Sequence, residues 1–297
     1  LGLFVKGLRT NWAIFSENPI GLLGLGVIIL FGLLALAHPI LINTVWDPVV
    51  YDPVSGFDIK VAPHPSPPSL RHLLGTDPQG RDVLSQLMYS ARFEFVLGIL
   101  AALVTVTIAT GIGAMAAYYG GLVDALLMRL VNLAIMIPLL PVLIVLGALM
   151  DVGMFEMAIV FGVLFGFGAT ALVVKSQALS IKVRPYIEAA RIAGGGDGHI
   201  IFKHMIPSLL PISLLYMMFT VNTAIAYEAI LSFFGLTTIR MSWGLMLNTS
   251  QHWGYLLRLD TWWLLLPPSI AISMLCAAFY LVGRALDEVV NPRLRRR

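Results

Sequence analysis

Side chains able to do chemistry are few in this sequence and widely spaced. Glu188 and Arg191 stand three apart in Glu188-Ala189-Ala190-Arg191, a spacing that lets them pair on one helix face or meet a charged partner. Gly194 opens the run Gly194-Gly195-Gly196, and Pro207 follows further on. Glu228 sits in an otherwise apolar run, just ahead of Ser232 and Phe233. An acid at mid-bilayer depth would cost on the order of ~3 kcal/mol, so Glu228 must face protein or a wet cavity. Two roles stay open for it: a gate or pathway residue, or a structural partner for an Arg or for backbone amides. The six histidines, His38, His64, His72, His199, His204 and His252, are scattered and lack H-E-x-x-H spacing, so no metal site is expected. The lone Cys276 cannot close an intramolecular disulfide and reads as a small packing residue. Gly194, Gly195, Gly196 and Gly198 match neither phosphate-binding glycine pattern and follow no strand. The chain is expected to hold no catalytic group and no ATP site.

The elements that carry these residues follow from composition. Of 297 residues, 58% are hydrophobic and 12% charged, about half the charge of a soluble domain. An all-α polytopic membrane protein is expected. Six stretches are long and apolar enough to cross about 30 Å of hydrocarbon: 20–42, 93–118, 126–150, 157–179, 208–231 and 262–284. The first is too long, and too poor in a cleavage-like sequence, for a removable signal peptide. Basic residues divide 13 to 6 in favour of the termini and even-numbered loops, which places both termini in the cytoplasm. The tail Arg293, Arg295, Arg296, Arg297 then anchors topology at an anionic lipid surface and is not a nucleic-acid patch. Domain organisation follows: a cytoplasmic segment 1–19, the first span 20–42, an external loop 43–92, a five-helix core 93–285 and a basic tail 286–297.

Two connections have internal order. In the external loop, Pro48, Pro53, Pro63, Pro65, Pro67 and Pro68 forbid a long helix or central strand. Asp77 then offers an N-cap and Pro78 a first helical position. The amphipathic run after them, with Val83, Leu84, Leu87 and Met88 against Arg81, Asp82, Ser85 and Gln86, reads as an interfacial helix or as a platform for an external partner. In the cytoplasmic connection 180–207, Pro185 can open a helix over Tyr186 to Ala193, which the glycines stop. Asp197 offers a second cap for a helix to Met205, and Pro207 turns the chain into the fifth span. Elsewhere, Gly162 and Gly166 suggest close helix packing, and Pro138 and Pro141 a kink in the third span.

Glu188-Ala189-Ala190, Gly194 and Pro207 have the spacing E-A-A-x-x-x-G-x12-P. This resembles the EAA loop of permease subunits of binding-protein-dependent ABC importers, with His204 departing from the usual I-x-L-P ending. Further segments are similar to the C-type permeases of dipeptide and oligopeptide importers. They are Leu73 to Asp77 with Gly80 to Ser85, Tyr118 to Asp124 with Leu127 to Arg129, Glu228 to Leu236 with Ser242-Trp243-Gly244, and Asp287 with Asn291 to Leu294. The resemblance covers nearly the whole chain in order. It implies the type I importer permease (MetI-like) fold with six membrane helices, in a prokaryotic inner membrane. It further implies a heterodimer with a second homologous permease, two cytoplasmic ATPases that bind the ATP and Mg, and an extracytoplasmic solute-binding protein. Glu188, Ala189, Ala190, Arg191, Gly194 and Pro207 would form the ATPase-coupling surface, and Glu228, Ser232 and Phe233 a pathway or gate.

Other classes fit less well. A stand-alone secondary transporter would show repeats and midplane ionisable groups, and an intramembrane enzyme would need convergent catalytic residues. Cargo within the importer branch includes peptides, oligosaccharides and nickel complexes, and an apolar pathway does not separate them.

Overall fold

The computed structural model describes residues 12–290, which leaves the basic tail from Asn291 onward and the first eleven residues outside the described part. Among the described residues its regular secondary structure is all helical apart from one isolated bridge, Thr76 to Asp82. Helix α1 spans Pro19–Thr44, α2 is the short Pro48–Tyr51, and α3 spans Val83–Tyr119. Then come α4 (Gly121–Met136), α5 (Leu139–Leu149), α6 (Met154–Gly166) and α7 (Ala169–Lys182). A hairpin follows: α8 (Pro185–Ile192), α9 (Asp197–Ile200) and a π turn (Ile201–Met205). Helices α10 (Ile206–Phe233), α11 (Trp243–His252) and α12 (Trp262–Val290) complete the chain.

Four runs cross a membrane by length and apolarity: α1, α3, the stretch from α9 through α10, and the stretch ending in α12. The other two expected spans are bent pairs, α4 with α5 at 79° and α6 with α7 at 48°. Counting each bent pair as one span makes six. The expected kink at Pro138 is therefore a break. Ile137, held extended (ψ 122°) before the proline, cannot continue the helix. Pro141 lies harmlessly in the first turn of α5, where no amide is missed. The fourth span also breaks, at Gly168, whose backbone is extended.

Helix α3 is the central element, packing along α1, α6, α7 and α10. Small residues let it do so. Ala101, Ala102, Ala109, Ala114, Ala116 and Ala117 are buried along it. Gly162 and Gly166 of α6 do pack closely, as expected: a Cβ at either would lie 2.4 Å from Val104 or 2.8 Å from Ile108 of α3. Large apolar side chains such as Leu23, Leu33 and Leu36 point outward from α1, the face a lipid-embedded helix presents.

The large loop between α1 and α3 is folded, and here two expectations fail. Helix α3 does not start at Asp77–Pro78. Asp77 caps a turn instead, accepting from the Gln79 and Arg81 amides at 2.8 and 2.9 Å, and Gly80 closes it with φ +84°. The helix N-cap is Asp82, which accepts from the Ser85 amide at 2.7 Å. There is also no separate interfacial helix, because the amphipathic run is the first part of the 37-residue α3. Its polar side is buried rather than wet. Gln86 donates to Asp77 at 2.9 Å, Arg81 pairs with Asp77, and Ser85 donates to the Tyr51 carbonyl. Trp263 of α12 donates to the Thr76 carbonyl at 3.1 Å and closes the loop onto the bundle.

Candidate functional site

The hairpin between α7 and α10 is built on a buried apolar seam. Ile187, Ile200, Ile201, Met205 and Leu209 pack against Ala114, Ala117 and Tyr118 of α3 and Val174, Ala178 and Ile181 of α7. Pro185 occupies the first turn of α8, where its missing amide costs nothing. The helix ends at Ala193, and Gly194 takes φ +84°, a left-handed conformation that favours glycine. Two details differ from expectation. The cap of α9 is Gly196, because the Asp197 carboxylate is taken by the Tyr118 hydroxyl at 2.7 Å. Pro207 does not turn the chain either; it lies in the first turn of α10, and Asp197 to Phe233 is one continuous helical run.

This packing divides α8 into two faces. Ile187 is fully buried, while Glu188, Ala189, Arg191 and Gly194 are exposed and Ala190 is half-buried. Arg191 does not pair with Glu188; its guanidinium lies over the Tyr118 ring, 5.7 Å from the centroid. Glu188 has no ion pair among the described residues. The hairpin also carries exposed apolar side chains, with Ile192 81% and Phe202 72% exposed. One uncommitted carboxylate amid small and apolar residues, on a rigidly seated helix, is a surface suited to docking. Lys182 donates to the Ala117 carbonyl at 3.0 Å, a further tie between this connection and α3.

Glu228 lies fully buried inside the bundle, and its neighbour is a second acid that sequence reasoning missed. The Ser232 hydroxyl donates to its Oε1 at 2.6 Å, and the same hydroxyl is 2.9 Å from Thr237 Oγ1. Its carboxyl also faces that of Glu94 on α3, with Ser242 close by. Glu94 is fully buried in turn, against Cys276 and the Trp243 backbone. The arginine considered as a partner for Glu228 is therefore a carboxyl group. Ser232 is buried with it, and Phe233 is half-buried at the end of α10. The signal for Glu94 was available, since it too is an acid in an apolar stretch, but its place near the start of the second span masked it.

At the opposite end of the bundle from the hairpin, His72 stands fully buried between two carboxylates. Its Nδ1 is 2.9 Å from Asp82 Oδ2 and its Nε2 3.2 Å from Asp58 Oδ2. The Asp82 hydrogen bond, outweighing burial, raises the His72 pKa above its ordinary value. Burial pushes the Asp58 carboxyl up, but the Lys60 amide, His72 and Arg71 outweigh it and hold the pKa below the ordinary carboxylate value. His72, Asp58 and Asp82 are engaged with one another, and among the described residues no group of three or more His, Cys, Asp or Glu side chains is arranged to hold a metal ion.

A bundle with a central α3, two broken spans and a seated, exposed hairpin defines a polytopic membrane component. The sequence profile described as "Binding-protein-dependent transport system inner membrane component" matches residues 95–296, and the chain belongs to that family. Over 287 residues it is 31% identical to the dipeptide transport system permease protein DppC of Bacillus subtilis, covering 96% of this chain and 85% of that one. It is also 32% identical over 232 residues to a protein assigned as a peptide transport system permease in Brucella suis, covering 77% of this chain and 76% of that one.

Proposed function

We propose that this chain is one of two homologous permease subunits of an ATP-driven importer for peptides. Two cytoplasmic ATPases, which hold the ATP and Mg, grip the hairpin, and a solute-binding protein delivers cargo from outside. The chain itself is a gate and not an enzyme. The uneven distribution of basic residues supports placing both termini and the hairpin in the cytoplasm, with the 45–82 loop outside. The peptide cargo rests on the names of the relatives.

The observation that carries the reading is the division of α8: Ile187 buried in the seam, with Glu188, Ala189 and Ile192 presented outward. A helix so seated transmits force from an attached subunit into α3 and α10 without bending. Glu188 would supply the charged contact, the two alanines the close approach, and Gly194 the turn that lets the hairpin reverse. Pro207 would fix how the π turn enters α10.

The test is ATP-driven peptide uptake by the reconstituted complex. Glu188→Arg places a like charge against any basic groove and should lower uptake on the order of tenfold or more while the permease itself stays folded. Normal uptake and normal ATPase association in that variant would refute the docking role.

A further inference from the structure

Two adjoining cavities of about 410 and 490 Å3 open at the large-loop end of the bundle. Both fall within the roughly 300–1,000 Å3 of small-molecule sites. Tyr89, Arg92 and Arg240 line both cavities. Arg92 projects from α3, and Arg240 from the segment joining α10 to α11. The sequence puts five arginines at this end, and three are committed: Arg71 to Asp58, Arg81 to Asp77 and Arg258 to Asp260. Arg92 and Arg240 have no hydrogen bond or ion pair among the described residues.

The two chambers differ in chemistry. The smaller is apolar, walled by Phe93, Val96, Met154, Ile239 and Met241. The larger is mixed: His38, Asn43, Asp52 and Ser55 are set among apolar Ala35, Pro39 and Ile42. Asp52 Oδ1 is occupied by the Val54 amide, the Ser55 amide and the Ser55 hydroxyl at 2.9, 2.7 and 2.9 Å, which leaves Oδ2 outside that turn. Two guanidinium groups therefore border both an apolar chamber and one that holds a carboxylate. Guanidinium matches carboxylate geometry in bidentate fashion, and the flanking chambers suit an apolar side chain on one side and an ammonium on the other.

We propose that Arg92 and Arg240 bind the C-terminal carboxylate of a short peptide at the outer mouth, with an apolar side chain in the smaller chamber and the peptide ammonium toward Asp52. The proposal rests on the permease reading above and deepens it. A free carboxylate becomes a condition for entry that the permease imposes itself, after the binding protein has released its cargo.

The experiment uses the assembled importer in phosphatidylcholine nanodiscs without binding protein, and measures equilibrium binding of alanyl-phenylalanine and of its C-terminal amide. The free acid should bind at least about tenfold more tightly than the amide. R92Q/R240Q should bring the acid down to the amide's affinity and leave the amide unchanged. R92K/R240K should restore part of the difference, since lysine keeps the charge without the fork. Equal binding of acid and amide by the unaltered complex, no binding of the acid, or unchanged preference in R92Q/R240Q would each overturn the proposal. The acid–amide comparison decides the matter even if the double variant fails to assemble. Phosphatidylglycerol nanodiscs that abolish dipeptide binding through the same arginines would show a lipid headgroup site instead, which also overturns it. ATP-driven uptake of the same dipeptide, with binding protein present, separates the two readings. Uptake without acid–amide discrimination defeats the carboxylate site alone, whereas no uptake defeats the permease reading.

Discussion

The Tyr118 hydroxyl donates to the Asp197 carboxylate at 2.7 Å, tying the last turn of α3 to the first residue of α9. The same ring carries the Arg191 guanidinium on its face. One side chain thus holds both helices of the hairpin. Tyr118→Phe removes the hydrogen bond and keeps the ring, so the hairpin should loosen by about 1 kcal/mol. Amide exchange over residues 185–205 should quicken several-fold; an unchanged exchange rate would show that the bond contributes nothing.

Ile187 and Ile192 lie on one short helix and should fail in different ways. Ile187 is fully buried, and Ile187→Ala should cost about 2–5 kcal/mol, visible as a lowered unfolding temperature of the purified permease. Ile192 is 81% exposed, so Ile192→Ala should leave that temperature alone and, on the proposed docking role, weaken only association with the ATPases. Pull-down and thermal scans on both variants check the division.

The His72 cluster gives the large loop a pH dependence of definite sign. The folded loop raises the His72 pKa, so its contribution is fully present below the unfolded value of about 6.5 and is lost as pH rises through the folded value. Asp58 acts in the other sense. Its contribution is present above about 3.8 and is lost as pH falls through its lowered folded pKa. Loop stability, followed by amide exchange of residues 58–82, should therefore decline as pH rises above neutral. His72→Gln should flatten that slope, and an unchanged slope in the variant would assign the dependence elsewhere.

Gly162 meets Val104 across the α6–α3 contact so closely that an added Cβ would lie 2.4 Å away. Gly162→Val should force the helices apart and cost about 1–3 kcal/mol. Gly26 of α1 has nothing within 4 Å of the corresponding position, and Gly26→Ala should cause no loss. Thermal unfolding of the two variants in one detergent makes the comparison.

Much of this architecture can be read from local chemistry. The apolar runs set the spans, Pro185 and Gly194 set the bounds of α8, and Gly162 and Gly166 announced a close contact. What could not be read depends on partners distant along the chain. Asp197 is a good cap by type, yet Tyr118 claims its carboxylate and a glycine caps in its place. Asp77 and Asp82 are both plausible caps, and only the tertiary fold, with Gly80 turned left-handed and Gln86 bound to Asp77, selects Asp82. Ser85 and Gln86 read as a wet helix face because nothing local shows that the proline-rich loop folds over them. Glu94 stayed hidden because its meaning comes from Glu228 on another helix.

At 1.5 Å per residue the 37 residues of α3 extend about 55 Å, well beyond the roughly 30 Å of hydrocarbon. The helix is clamped at one tip by Tyr118 to Asp197 and is woven at the other into the loop through Ser85 and Gln86. It is a strut held at both tips, and tilting it displaces them together. In the proposed importer, a push delivered by nucleotide closure at one surface of the membrane would reshape the landing ground for the binding protein at the other, with no separate relay between them.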